Sequence, residues 1–407
     1  MPRWLGLRLS LMFFLDIGVT AAYFPLLSVH LTRTLALSPK EVGVVFAMGP
    51  LATLIAPLVV GGLADRVWPA DRAVAVVNLL RAGSLVLASQ ATDFSSVAIS
   101  IFLIGFVSAP GGVLDYTIAF HHLRNNPESI GKSRVFGTIS WIVVLWGTGV
   151  YFQYFAGEAA DTRVLFLFAA GIAAVSAVYA LTLPHTPPAR APARSLALLD
   201  AARLLKRGDF RAVVIASTLS AVCTQFHFVL HPLFYSDRVT GLGLDLAATS
   251  RASSVAQLLE VGLFPLLGGA IARFGIRRVL AFGMFAWPLR FLAYALGGPA
   301  AFVIGMQSLH GVNVVFGQIA SQVAVDRLSP IDARASSQAL LSASSMGAGN
   351  LIGQLLCGAL LEASALPGGG YRWPLVFSLP LVLGALAALI VSLGMRGSAS
   401  SEPRLVS

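Results

Sequence analysis

Ser253-Ser-Val-Ala-Gln257-Leu-Leu-Glu260-Val261 lies inside a largely apolar run from about Ala252 to Ala272. Such a run is just long enough to cross a bilayer, which takes roughly 20 residues. A carboxylate near the middle of a membrane helix costs on the order of 3 kcal/mol on insertion scales, so Glu260 needs a partner or a function to offset it. On a helix Ser253, Gln257 and Glu260 fall at i, i+4 and i+7 and share one face. The pattern predicts that this face lines a watery cavity, which the other helices enclose.

Working outward, the whole chain has the same character. Its 407 residues are 57% hydrophobic and 11% charged, against about 25% charged in a soluble domain. Twelve apolar runs are expected, centred near Asp16, Leu54, Leu85, Ser108, Leu145, Ala174, Cys223, Glu260, Phe285, Gly311, Ala348 and Leu383. The formal net charge of +10 does not point to nucleic acid, because the cations gather in loops on one side. Arg66, Arg72, Arg124, Lys132, Arg134, Arg190 to Arg211, Arg273 to Arg278, Arg327 and Arg334 mark that side, while the alternate loops carry few. By the positive-inside rule both termini are expected in the cytoplasm. The run following Arg3 and Arg8 is too long for a cleaved leader and is read as the first retained span. Cys223 and Cys357 both sit in apolar runs, so neither a disulfide framework nor a metal site is expected.

The Pro-, Ala- and Arg-rich segment 184–209 divides the chain. The expected organisation is a six-helix half over 1–183, a cytoplasmic linker over 184–209, a second six-helix half over 210–395 and a tail over 396–407. The halves repeat: Pro57-Leu-Val-Val-Gly-Gly-Leu-Ala-Asp65-Arg66 and Pro265-Leu-Leu-Gly-Gly-Ala-Ile-Ala-Arg273-Phe274 keep the same spacing from proline to the charged residue. The glycine pairs Gly61–Gly62 and Gly268–Gly269 are expected to let helices approach closely. Half-chain repeats are a mark of secondary transporters, with the binding site between the halves near the midplane.

Gly62-Leu-Ala-Asp65-Arg66, after the second span, resembles the signature loop of the major facilitator superfamily. Arg134-Val-Phe-Gly-Thr138-Ile, Gln257-Leu-Leu-Glu260, Arg273-Phe-Gly-Ile, Ala286-Trp-Pro-Leu-Arg290-Phe and Leu328-Ser-Pro-Ile-Asp-Ala-Arg334 are similar, in order, to stretches of the bacterial nucleoside:proton symporter family. The resemblance implies an all-α integral membrane protein with the major facilitator fold, a gating loop at Gly62, Asp65 and Arg66, and a nucleoside pocket using Arg134, Thr138, Gln225, Gln257 and Glu260. It also exposes departures. Phe228 stands where relatives carry an asparagine, His310 and Val314 stand where aromatics are expected, and Val315 stands where an acid is expected.

From the residues themselves, Asp16, Asp115 and Glu260 are the acids well inside spans and are the proton-coupling candidates. The alternative for each is a buried ion pair, with Arg81 and Arg290 as available partners. Gln225, Gln257 and Thr138 offer hydrogen bonds for a ribose, while Phe228, Trp141 and Phe316 offer walls for a base. His310 is a mid-span candidate for the cavity. The expected function is proton-coupled nucleoside import across the bacterial inner membrane, by a monomer that binds a small molecule and needs no cofactor beyond the coupling proton. A sugar or small aromatic acid as substrate, or drug efflux, are the alternatives. An enzyme is not expected: His227 and His231 have HExxH-like spacing but enclose Phe-Val-Leu, without an acid.

Overall fold

The computed structural model describes residues 3–60, 68–123, 127–157, 161–188 and 202–395. Gly62, Asp65 and Arg66 of the expected gating loop lie outside the described residues, as do residues 189–201 of the linker and the whole tail. Among the described residues ten helices are long and apolar enough to cross a membrane. They are α1 (Trp4–Thr34), α2 (Pro39–Val60), α3 (Ala70–Ser89), α4 (Phe94–Leu123), α5 (Ile130–Ala156), α7 (Gly208–Ser236), α8 (Leu246–Phe274), α9 (Ile276–Leu296), α10 (Ala300–Leu328) and α12 (Trp373–Gly394). Two more complete the set. The shorter α6 (Val164–Ala180) is apolar throughout. Helix α11 over 334–363 is continuous, but Gln338, Ser342, Ser345, Asn350 and Gln354 make it too polar to register by hydropathy. Every expected centre falls within one of these helices. Helices suit this setting because a backbone surrounded by lipid must satisfy its hydrogen bonds internally.

Within the first six, α1 packs on α5 and α6, α2 on α4, and α3 on α4 and α6; within the last six, α9 packs on α12 and α10, α7 on α12 and α11, and α8 on α10. The two sets meet through α2 against α11 and α5 against α8. Twelve passes return the chain to the end where it began, here called the terminal end.

At the opposite end the two sets are tightly closed. A Cβ on Gly43 of α2 would lie 2.8 Å from the Gln354 carbonyl oxygen and the Gly358 Cα of α11. Ser250 Oγ donates to the Leu145 carbonyl at 2.8 Å, Trp146 Nε1 to Ser254 Oγ at 3.0 Å and Arg251 Nη1 to Gln153 Oε1 at 2.6 Å. Arg33 Nη2 donates to the Ser236 carbonyl at 2.5 Å. Gly268 and Gly269 do not serve the close approach expected of them, since a Cβ on either would meet no atom within 4 Å. They face away from neighbouring helices, and tight crossings fall at other glycines, among them Gly43, Gly283, Gly311 and Gly358.

The helices are not regular. Wider π turns occur at His30–Thr34, Phe152–Ala156, Phe226–Leu230, Asn313–Ile319 and Ala343–Gly349. Tight 3-10 turns at Phe24–Leu26 and Phe264–Leu266 each carry a proline at the start, Pro25 and Pro265. Such turns shift which residues share a face, and they often mark functional segments.

Candidate functional site

Helices α1, α5, α7, α8 and α10 enclose a compartment of about 220 Å³ lined by Arg134, Thr138, Trp141, Phe228, Gln257, Glu260 and His310, among others. Six of the seven substrate-site residues expected from the sequence therefore meet in one place. Glu260 is brought there by Gly311: a Cβ at position 311 would lie 2.5 Å from the Glu260 nitrogen, so only glycine lets α10 lie directly against α8. Thr138 Oγ1 donates to Glu260 Oε1 at 3.0 Å, which fixes the carboxylate from across the interface. Arg134 donates from Nε to the Tyr116 hydroxyl at 2.6 Å, anchoring the guanidinium at the wall. Trp141 and Phe228 face each other with ring centroids 6.0 Å apart, and Phe24 lies 5.5 Å from Phe228.

A second compartment of about 420 Å³ adjoins the first through the shared residues Thr224, Phe228 and Gln318. It extends toward the terminal end as far as Gln322, Leu341 and Ser342. Gln225, the seventh expected residue, belongs here and not beside Glu260. Its amide nitrogen donates to Asn350 Oδ1 at 2.8 Å, and its Oε1 accepts from Gln354 Nε2 at 3.0 Å. The π turn beginning at Phe226 explains the separation, since it changes the register between Gln225 and Phe228.

Other expectations change as well. Ser253 does not line the compartment with Gln257 and Glu260; the helix tightens at Ser254, and Ser253 bonds to His231 and Gln307 instead. Phe316 is buried against Phe282 and lines neither compartment. Asp16 is held by Arg81, whose Nη1 donates to Asp16 Oδ1 at 2.8 Å while Nη2 donates to Thr20 Oγ1 at 2.6 Å. Asp115 is buried alongside Asp16, within reach of its carboxyl group. Neither acid lines a compartment, so Glu260 is the acid of the three that faces the cavity. Arg290 does not neutralise an acid as expected; its Nη2 donates to His227 Nδ1 at 2.8 Å and to the Tyr294 hydroxyl at 3.0 Å. Val315, at the position where an acid was expected, is fully buried.

The sequence reading named Gln225 and Gln257 but overlooked four further amides. Gln318 borders both compartments, and Asn350 and Gln354 line the larger one. Asn313 bridges α10, α7 and α9 by bonding Ser220 Oγ at 3.1 Å and the Gly283 carbonyl at 3.0 Å. The signal was present: an amide in an apolar run, like an acid, needs a partner inside the membrane.

The family model described as nucleoside H+ symporter matches residues 4–400. The xanthosine permease of Escherichia coli (strain K12) is 27% identical over 89% of this chain and 90% of its own length. The nucleoside permease NupG of the same organism is 25% identical over 88% of each. Two crystal structures of nucleoside transporter NupG share the fold. An aspartate-to-alanine variant has a TM-score of 0.85 at 22% identity, covering 96% of this chain and 100% of that one. The other has a TM-score of 0.80, covering 96% and 98%. The arrangement is the major facilitator fold, and the chain belongs to the nucleoside H+ symporter family.

Proposed function

We propose that this protein imports nucleosides together with protons by alternating access. The observation that carries this reading is the compartment between α5 and α8, where Thr138 holds Glu260 beside Gln257 and Arg134 under the Trp141–Phe228 pair. A nucleoside offers ribose hydroxyls and a flat heteroaromatic base. Glu260 accepts hydrogen bonds from hydroxyls, Gln257 both donates and accepts, and Arg134 donates to base or ribose oxygens. The two rings supply apolar faces for the base. Together the compartments, about 220 and 420 Å³, have the size of a small-molecule site, roughly 300–1,000 Å³. The names of the relatives, a xanthosine permease and a nucleoside permease, support the same substrate class.

The larger compartment reaches toward the terminal end while the opposite end is closed, so the bound substrate is released on the terminal side. The concentration of arginines at that end supports placing it in the cytoplasm of a bacterial inner membrane. Alternating access then requires the helices over 1–183 and 210–395 to rock about the site as two bodies. Both compartments are completed within one chain, which supports a working monomer.

A thermal-shift screen of purified protein tests the substrate. Nucleosides are expected to stabilise the wild type and to lose that effect in Glu260→Gln. Stabilisation by sugars or aromatic acids, with none by nucleosides, would assign the site to another substrate.

A further inference from the structure

Beside the compartment, but separate from it, seven buried residues close a ring of hydrogen bonds that ties α7, α8, α9 and α10 together. Arg290 Nη2 donates to the Tyr294 hydroxyl at 3.0 Å and to His227 Nδ1 at 2.8 Å. The Tyr294 and Tyr235 hydroxyls are 2.9 Å apart, and Tyr235 donates to Gln307 Oε1. Gln307 Nε2 donates to the Ser253 carbonyl at 2.9 Å, and Ser253 Oγ lies 3.0 Å from His231 Nε2. His231 Nδ1 closes the ring on the His227 carbonyl.

Donor counting settles nearly every proton in this ring. Arginine only donates, so His227 Nδ1 accepts and His227 is neutral, with its proton on Nε2. Gln307 donates to the Ser253 carbonyl, so its Oε1 accepts from Tyr235, and Tyr294 must donate to Tyr235. A carbonyl only accepts, so His231 Nδ1 carries a proton. One position stays open. Ser253 Oγ also lies 2.8 Å from the Thr249 carbonyl. If the hydroxyl donates to His231 Nε2, the imidazole is neutral. If it turns to the Thr249 carbonyl, Nε2 donates to Ser253 and the imidazole is a cation. Every hydrogen bond of the ring is satisfied in either state, with no side chain moved.

We propose that His231 is the group that holds the coupling proton. This rests on the nucleoside–proton reading above and names its proton site. The transfer forms one N–H bond at Nε2, taking its proton from solvent admitted at the opposite end when the Arg33–Ser236 contact opens; its reversal returns the proton. His231 lies on the last stretch of α7 leading to that end. Ser253 belongs to the same helix as Gln257 and Glu260, so reorienting its hydroxyl acts on the element that grips the substrate. The titratable or charged groups around His231 are His227 and Tyr235 on α7, Arg290 and Tyr294 on α9, and His310 on α10. Helix α8 adds Glu260 two turns beyond Ser253, and α1 adds His30, bonded to Thr162 at 2.7 Å. Among the described residues none of these groups around His231 forms an ion pair.

The test compares two activities in proteoliposomes: nucleoside exchange, which needs no net proton movement, and uphill accumulation driven by an imposed proton gradient. His231→Gln is expected to keep exchange and lose accumulation. A His231→Gln protein that still concentrates nucleoside overturns the proposal. If it loses both activities, Ser253→Ala decides, since it keeps the imidazole and removes its switching partner. A displaced pH profile of accumulation with exchange intact supports the proposal. An unchanged profile, or loss of exchange in this variant too, makes the ring structural and overturns it. Wild-type protein that neither exchanges nor accumulates nucleosides would overturn the substrate reading instead, so the two failures are distinguishable.

Discussion

Arg81 and Arg290 stand on α3 and α9, the third helix of each set of six, and each reaches the first helix of its own set. Their partners differ. Arg81 meets the Asp16 carboxylate, with Asp115 beside it, whereas Arg290 meets the neutral face of His227 and a tyrosine. In the first set a buried cation is neutralised, which costs desolvation and gives a fixed strut between helices. In the second set the positive charge is spread into a ring of dipoles that ends at a histidine with two satisfied protonation states. Related positions have thus been given to rigidity on one side of the molecule and to proton chemistry on the other.

The widest separation between the two regions should appear in stability. Replacing Asp16 and Asp115 together by asparagine leaves Arg81 buried without an anion, which costs about 3 kcal/mol or more. Each single change should cost less, because the remaining carboxylate still faces the guanidinium. His227→Gln, which keeps an acceptor for Arg290, should cost under about 1 kcal/mol. Unfolding of the detergent-solubilised protein measures all four variants, and equal losses in the two regions would break the contrast.

Next in size is Gly311→Ala. A methyl group there meets the Glu260 backbone, and overpacking of this kind costs about 1–3 kcal/mol. It should weaken nucleoside binding by displacing α8, while a comparable change at Gly268, where a Cβ meets nothing, should not. Thr138→Ala removes one hydrogen bond to Glu260 and should weaken binding roughly fivefold, from about 1 kcal/mol. Titration calorimetry reads both.

The smallest effect concerns Asp237 in the loop after α7, at the closed end. Burial raises its pKa, but bonds from the Thr240 hydroxyl, the Val239 and Thr240 amides and the Trp373 indole outweigh it and hold the pKa below the ordinary aspartate value. A carboxyl lowered in the folded state contributes stability above its unfolded pKa, about 3.9. That contribution is lost as pH falls through the lower folded value. The wild type should therefore lose stability on acidification below about pH 4, and Asp237→Asn should flatten that part of the profile. A variant with the full wild-type acid slope would remove Asp237 from the account.

Much of this was legible in the residues because polar groups in apolar runs are few and expensive. Glu260, Gln257, Arg134 and Thr138 stood out on that ground and by resemblance, and the structure brings them together. What could not be read was who faces whom. Gln225 and Phe228 are three apart on α7, yet across the π turn that begins at Phe226 only Phe228 reaches the compartment of Glu260, while both line the larger one. Ser253 shares an ideal helical face with Glu260, but a tightened turn at Ser254 turns it to His231. Arg290 was expected to find an acid, and only the packing of α9 against α7 shows that it finds imidazole. Periodicity fixes positions on one helix; partners on another depend on crossings, here set by glycines such as Gly311 and Gly358.

Uphill uptake in proteoliposomes tests the central claim most directly. With an inward proton gradient, purified protein should accumulate a radiolabelled nucleoside, a protonophore should abolish the accumulation, and Glu260→Gln should show none. Accumulation that survives the protonophore, or that is undiminished in Glu260→Gln, would contradict the account.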